Sequence, residues 1–148
     1  MSKVKVGFVG VGGIAGVHLE NVSKNSDAVI VAVCDIVEDN AKQKGLQYNA
    51  TAYTDLDVML EKETLDAVFV CVPPFAHDEI EEKIVQRGIH LLVEKPLGLD
   101  LETVRRKAKV IKNSGVICGT GYCLRYLDTV AKAKEYLKDK KIAMVRGH

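Results

Sequence analysis

Apolar and polar residues follow two rhythms along this chain, and the rhythms take turns. Val4, Val6 and Phe8 alternate with Lys3, Lys5 and Gly7 before Val9 closes the run, so Lys3–Val9 is expected to form a strand. Val29–Val33 and Ala67–Val72 are apolar throughout, as suits strands buried on both faces. Further strands are expected at Ala52–Thr54, Ile89–Val93, Val116–Gly119 and Ile142–Val145. Between them, helical spacing predicts helices over Gly13–Lys24, Glu38–Gly45, Asp55–Lys62, Ala76–Arg87, Asp100–Lys112 and Asp128–Lys138. In the first of these an apolar stripe runs through Ile14, His18 and Val22, with Ala15 and Leu19 beside it. The fifth is expected to bury Leu101, Val104, Ala108 and Ile111, with Asp100 as its N-cap. Strands alternating with helices predict an α/β fold: a three-layer, doubly wound parallel sheet forming a single domain over residues 1–148.

Composition narrows the picture. A length of 148 residues suits one domain with a real core, and 47% apolar content excludes wholesale disorder. A net charge of +1 gives no broad basic footprint, so no nucleic-acid partner is expected. Residues 125–148 carry seven Lys or Arg against three Asp or Glu, and lysines closing a helix complement its dipole. No run of 18 apolar residues and no signal-peptide core appear, so no membrane association is expected. Cys34, Cys71, Cys118 and Cys123 lack CxxC or zinc spacing, which predicts reduced thiols in a cytoplasmic protein and no metal site.

The chemistry begins where the first strand ends. Gly10, Gly12 and Ala15 fill the pattern G-x-G-x-x-G/A between a strand and a helix. Gly10 allows the sharp turn, Gly12 lets the backbone approach a diphosphate, and Ala15 lets helix and strand lie close. With Gly13 and Ile14, the helix start offers N–H groups and a positive dipole end to phosphates. Asp35 stands 23 residues after Gly12, at the end of the second strand. A carboxylate there can accept both ribose hydroxyl hydrogens of NAD. Ile36, Val37 and Glu38 include no arginine for a 2′-phosphate, so NAD is expected over NADP. A solvated strand-end acid or a helix cap is the plainer reading of Asp35.

Two later segments are aimed at the same sheet edge. Val72, Pro73 and Pro74 leave the strand at its carboxyl end, since consecutive prolines cannot continue a ladder, and His77 follows at a helix entry. His77 is read either as packing or as contacting the cofactor. The strand Ile89–Val93 delivers Glu94-Lys95-Pro96. Buried charge at a strand end is costly unless paired or used. Lys95 can donate to a substrate oxygen during hydride transfer or relay a proton, or it can be a surface lysine.

These residues resemble the N-terminal domain of the glucose–fructose oxidoreductase, inositol dehydrogenase and MocA family of NAD(P)-dependent oxidoreductases. The resemblance rests on GxGGIAxxH at Gly10–His18, VCD at Val33–Asp35, PPxxH at Pro73–His77, EKPL at Glu94–Leu97 and GYxxRY at Gly121–Tyr126. It implies a Rossmann fold and a hydride transfer between NAD and a sugar, cyclitol or related polyol. It further implies that Lys95 is the catalytic or substrate-orienting residue. Cofactor contacts are implied for Gly10, Gly12, Gly13, Ile14, Asp35, Val72, Pro73, Pro74, His77, Glu94, Lys95 and Arg125. Members of the family carry a second, substrate-binding domain that has no counterpart in these residues, so the chain is expected to be the cofactor half of a longer, homo-oligomeric enzyme. A stand-alone nucleotide-sensing module fits the glycine turn equally well but has no evident use for Glu94-Lys95-Pro96.

Overall fold

Phe8 lies wholly buried near the middle of the sheet, its ring stacked on Phe69 with centroids 4.9 Å apart. The structure, a computed structural model, describes residues 2–77 and 79–146. Chain order is β1 (Val4–Val9), α1 (Gly13–Ser23), β2 (Ala28–Cys34), α2 (Glu38–Tyr48), β3 (Thr51–Tyr53) and α3 (Leu56–Lys62). It continues with β4 (Ala67–Val70), α4 (Ile80–Val85), β5 (His90–Val93), α5 (Leu101–Ser114), β6 (Cys118–Thr120) and α6 (Asp128–Leu137). The six strands form one sheet in the order β3-β2-β1-β4-β5-β6, and every pairing is parallel. The order reverses between β1 and β4, which opens a crevice at the carboxyl ends of those strands.

Alternate side chains of each strand go to opposite faces. In β4, Val68 and Val70 join a cluster with Met59 and Leu60 of α3 and Ile84 and Val85 of α4. Its neighbours Phe69 and Cys71 face the other way, onto a cluster with Ala15 and Leu19 of α1 and Phe8 and Ile30. The expected doubly wound architecture is therefore present, with helices covering both faces.

Several local expectations are corrected. In α1 the buried residues are Ala15 and Leu19, while Ile14 is about half exposed, so the buried line sits one position away from the expected stripe. α2 runs on past Gly45 to Tyr48 because Asn49 adopts a left-handed conformation (φ 52°) and closes the helix there. The helix expected over Ala76–Arg87 is a 3-10 turn at Pro74–Ala76 followed by α4; Asp78 lies outside the described residues. Asp55 and Asp100 do cap α3 and α5, accepting the N–H groups of Val58 and Thr103. The burial expected for α5 is met in part: Val104 and Ile111 are half-buried, with Ile111 packed against the core, but Leu101 and Ala108 are exposed and the buried residue is Lys107. Residues 142–145 form no strand, and Gly147 and His148 lie outside the described residues. α6 buries none of its residues; Tyr126, Leu127, Val130, Tyr136 and Leu137 remain exposed.

Candidate functional site

Gly10 turns the chain off β1 at φ +77°, and a Cβ there would stand 2.8 Å from the Cys71 carbonyl oxygen, so the position requires glycine. At Gly12 and Gly13, by contrast, an added Cβ would meet nothing within 4 Å. Gly12 is the N-cap of α1, no side chain caps this helix, and its first turn holds no acid. The first-turn N–H groups, with the positive end of the helix dipole, therefore face open space beside the turn, with Gly13 and Ile14 exposed at its rim. Space, donors and charge sign all fit a diphosphate.

The end of β2 supplies the acceptor. Asp35 accepts the Val11 N–H at Oδ2 and the Val37 N–H at Oδ1, both at 2.9 Å. Each carboxylate oxygen keeps acceptor capacity for a ribose hydroxyl. Gly10, Asp35, Val72 and Pro73 line one cleft of about 180 Å³, together with Ile36, Thr54 and Ala76. Apolar Ile36, Val72 and Ala76 offer a surface for a flat base beside the ribose acceptor. Val72 is a wall residue that the resemblance already implies; Ile36, Thr54 and Ala76 were missed in the sequence, although Ile36 and Thr54 stand just past a strand's carboxyl end. Pro74 opens the 3-10 turn that follows the wall.

Two expected cofactor contacts are placed differently. His77 is 2% exposed, and its Nδ1 lies 2.5 Å from Glu81 Oε1, one helical turn on. Its ring is buried instead of lining the cleft: Nδ1 meets Glu81, Nε2 has no hydrogen-bond partner among the described residues, and Lys107 bonds the backbone carbonyl of the same residue. Glu94 is also buried, its Oε1 2.8 Å from His18 Nε2 and its Oε2 accepting the Lys95 N–H at 3.2 Å. A Cβ on Gly121 would lie 2.6 Å from that carboxylate, so Glu94 occupies room that this glycine leaves. It ties α1 to the end of β5.

Lys95, by contrast, is exposed, and its peptide bond to Pro96 is cis. It lines a hollow of about 440 Å³ with Gly121, Tyr122, Cys123, Leu124 and Arg125. The structure thus brings Lys95 and Arg125 together at a second opening on the same carboxyl edge of the sheet, past β5 and β6. A cofactor spanning the crevice would have its diphosphate at Gly12 and an end toward each opening.

The family model for an oxidoreductase family with an NAD-binding Rossmann fold, named for Gfo, Idh and MocA, matches residues 4–122. The chain belongs to this family. Among curated Gfo/Idh/MocA relatives, myo-inositol 2-dehydrogenase of Thermotoga maritima is 31% identical over 140 residues, covering 94% of this chain and 42% of that protein. The NAD(+)-dependent scyllo-inositol 2-dehydrogenase of Bacillus subtilis is 30% identical over 134 residues, covering 89% of this chain and 39% of that one. Among solved structures, scyllo-inositol dehydrogenase from Lactobacillus casei, with bound NAD(H) and scyllo-inositol, superposes with a TM-score of 0.84 at 27% identity. That match covers 96% of this chain and 43% of the other. The chain thus spans about two fifths of the length of these relatives. Its part is the NAD-binding Rossmann domain of the Gfo/Idh/MocA fold. No helix among the described residues is long and apolar enough to cross a membrane.

Proposed function

We propose that this chain is the cofactor-binding half of a dehydrogenase that moves a hydride between NAD and a cyclitol, sugar or related polyol. The observation that carries the reading is the shared sheet edge: an uncapped, open glycine turn beside Asp35, and Lys95 at a second opening on the same side. Bound NAD supplies the nicotinamide ring that accepts the hydride from the substrate carbon. The first-turn N–H groups of α1 hold its diphosphate, and Asp35 accepts its ribose hydroxyls. In the reducing direction Lys95 Nζ would donate to the carbonyl oxygen and give it the proton as the hydride arrives; in the oxidising direction the same nitrogen would take the hydroxyl proton as the C–H bond breaks. Arg125 sits across the same hollow, where its guanidinium can steer an oxygen-rich ligand.

Residues 1–148 are proposed as one dinucleotide-binding domain, with most substrate contacts made by a second domain. The exposed apolar residues of α6 and the span of two fifths of the relatives support this arrangement. The assembled enzyme is proposed to be a homo-oligomer of the cytoplasm, a compartment that suits four free cysteines. Titrating NADH fluorescence against the purified chain tests the reading. Saturable binding with little or no turnover of inositols is expected. Absence of saturation up to millimolar cofactor sinks the binding assignment, and steady turnover on simple polyols sinks the half-enzyme assignment.

A further inference from the structure

The residue that α5 buries is a lysine, and nothing in the proposed chemistry uses it. Lys107 Nζ donates to Glu81 Oε2 and, at 2.5 Å, to the backbone carbonyl of His77; Glu81 Oε1 meets His77 Nδ1. Lys107 and Glu81 are fully buried. Burial pushes the Glu81 carboxyl up, but the bonds from His77 and Lys107 outweigh it and leave it below the ordinary range, in keeping with an ion pair. Such a pair is a poor way to gain stability, because two apolar side chains of similar volume commonly do as well or better without the desolvation cost. A leucine or methionine in place of Lys107 could not, however, grip a backbone oxygen.

That oxygen is well placed. β4 ends at Val70, and the chain then passes through Val72, Pro73 and Ala76, all of which line the cleft at Asp35. Pro73 and Pro74 have no N–H with which to anchor this wall. The wall is fastened at its start by the Cys71 N–H to Val9 O (2.7 Å) and braced within by the Ala76 N–H to Pro73 O (2.9 Å). At its far end the His77 carbonyl accepts the Ile80 N–H at 3.4 Å and, much closer at 2.5 Å, the Lys107 ammonium from another helix.

We infer that Lys107 and Glu81 are positioning residues for the cofactor cleft, setting where the Val72–Ala76 wall stands against the adenosine half of NAD. The inference rests on the reading of this cleft as the NAD site. In the full chain, Lys107→Met and Glu81→Leu are made together, and thermal melting is followed alongside the affinities for NADH and ADP-ribose. The melting temperature is expected to hold or rise. Both affinities are expected to fall by the same factor, roughly 5- to 20-fold, the scale of one or two lost hydrogen bonds. Unchanged ADP-ribose affinity overturns the inference, as does a loss confined to NADH. A double variant that fails to fold overturns it too, by making the network a requirement of folding. Lys107→Arg keeps a cation able to reach both the Glu81 carboxylate and the His77 carbonyl and should recover part of the ADP-ribose affinity that the double variant loses; affinity no better than the double variant's counts against positioning. If the unaltered chain binds neither ligand, it is the NAD reading that fails.

Discussion

The Asp35 carboxylate accepts the backbone N–H of Val11 at 2.9 Å, which joins the end of β2 to the middle of the glycine turn. The group read as the ribose acceptor therefore also fixes the loop that receives the diphosphate. The proposed cofactor contact and the loop geometry share one side chain, and its second oxygen holds Val37 at the start of α2.

Asp35→Ala should therefore act twice. Losing charge-assisted bonds to the ribose should weaken NADH binding by roughly 10- to 100-fold, and freeing the Val11 N–H should cost about 1–2 kcal/mol of stability. Preference over NADPH should shrink in parallel. Fluorescence titration with both cofactors, beside a denaturant melt, measures all three; unchanged selectivity would remove Asp35 from the site.

Two glycines two residues apart should respond in opposite ways. Gly10→Ala forces a side chain into a positive-φ turn against the Cys71 carbonyl and should cost about 2–4 kcal/mol. Gly12→Val enters open space at an ordinary φ of −76° and should change stability by less than about 1 kcal/mol while abolishing cofactor binding. Thermal melts and NADH titrations of the two variants separate fold from function.

Glu94 and Gly121 should be energetically coupled. Gly121→Ala drives a methyl into the Glu94 carboxylate and should cost about 1–3 kcal/mol. In a Glu94→Ala background the same change should be milder by about 1 kcal/mol, measured by a double-mutant cycle. Additive effects would mean that the carboxylate has room elsewhere.

Acid should weaken the buried network. The folded Glu81 carboxyl lies below its ordinary value, so the unfolded chain binds the proton more readily. Its contribution is present above the ordinary carboxylate pKa of about 4.3 and is lost as pH falls below it. Glu20 and Glu38 are lowered in the same direction by hydrogen bonds from Lys24 and Lys42, but these pairs are exposed and screened. Denaturant melts from neutral pH to below pH 4 should lose stability less steeply in the Glu81→Leu, Lys107→Met double variant than in the parent.

The thiols should react in order of exposure. Burial and the charge of Glu94 push the Cys71 thiol up to about 12, and burial with Asp55 and Asp35 pushes Cys34 up to about 11. Cys123 is exposed beside Lys95. Brief treatment with iodoacetamide at mildly alkaline pH, read by mass spectrometry, should label Cys123 first and Cys34 and Cys71 only after unfolding. Early labelling of Cys71 would contradict its burial.

The strands were legible because parallel strands buried on both faces read as apolar runs, as Val29–Val33 and Ala67–Val72 do. The glycine turn and Asp35 were legible because a strand, a tight turn, a helix and a second strand fix their spacing, the spacing that a diphosphate and a ribose would need. The interior of α5 was not: helical periodicity assigns Lys107 to solvent, and only Glu81, 26 residues earlier, makes its burial tolerable. Glu94 was singled out as costly at a strand end, but its partner His18 emerged only once α1 was laid on the sheet, which brings His18 Nε2 within 2.8 Å of Glu94 Oε1. The apolar residues 142–145 read as a strand because β-propensity is local, whereas a ladder needs a neighbour.

Both borders of the sheet, β3 and β6, are only three residues long. A foreign strand laid against either would find few free amide and carbonyl groups to grip, so the long, sticky interior strands are shielded from templating by their own stunted margins. Concentrated solutions of this domain should for that reason resist conversion into cross-β fibres for as long as it stays folded.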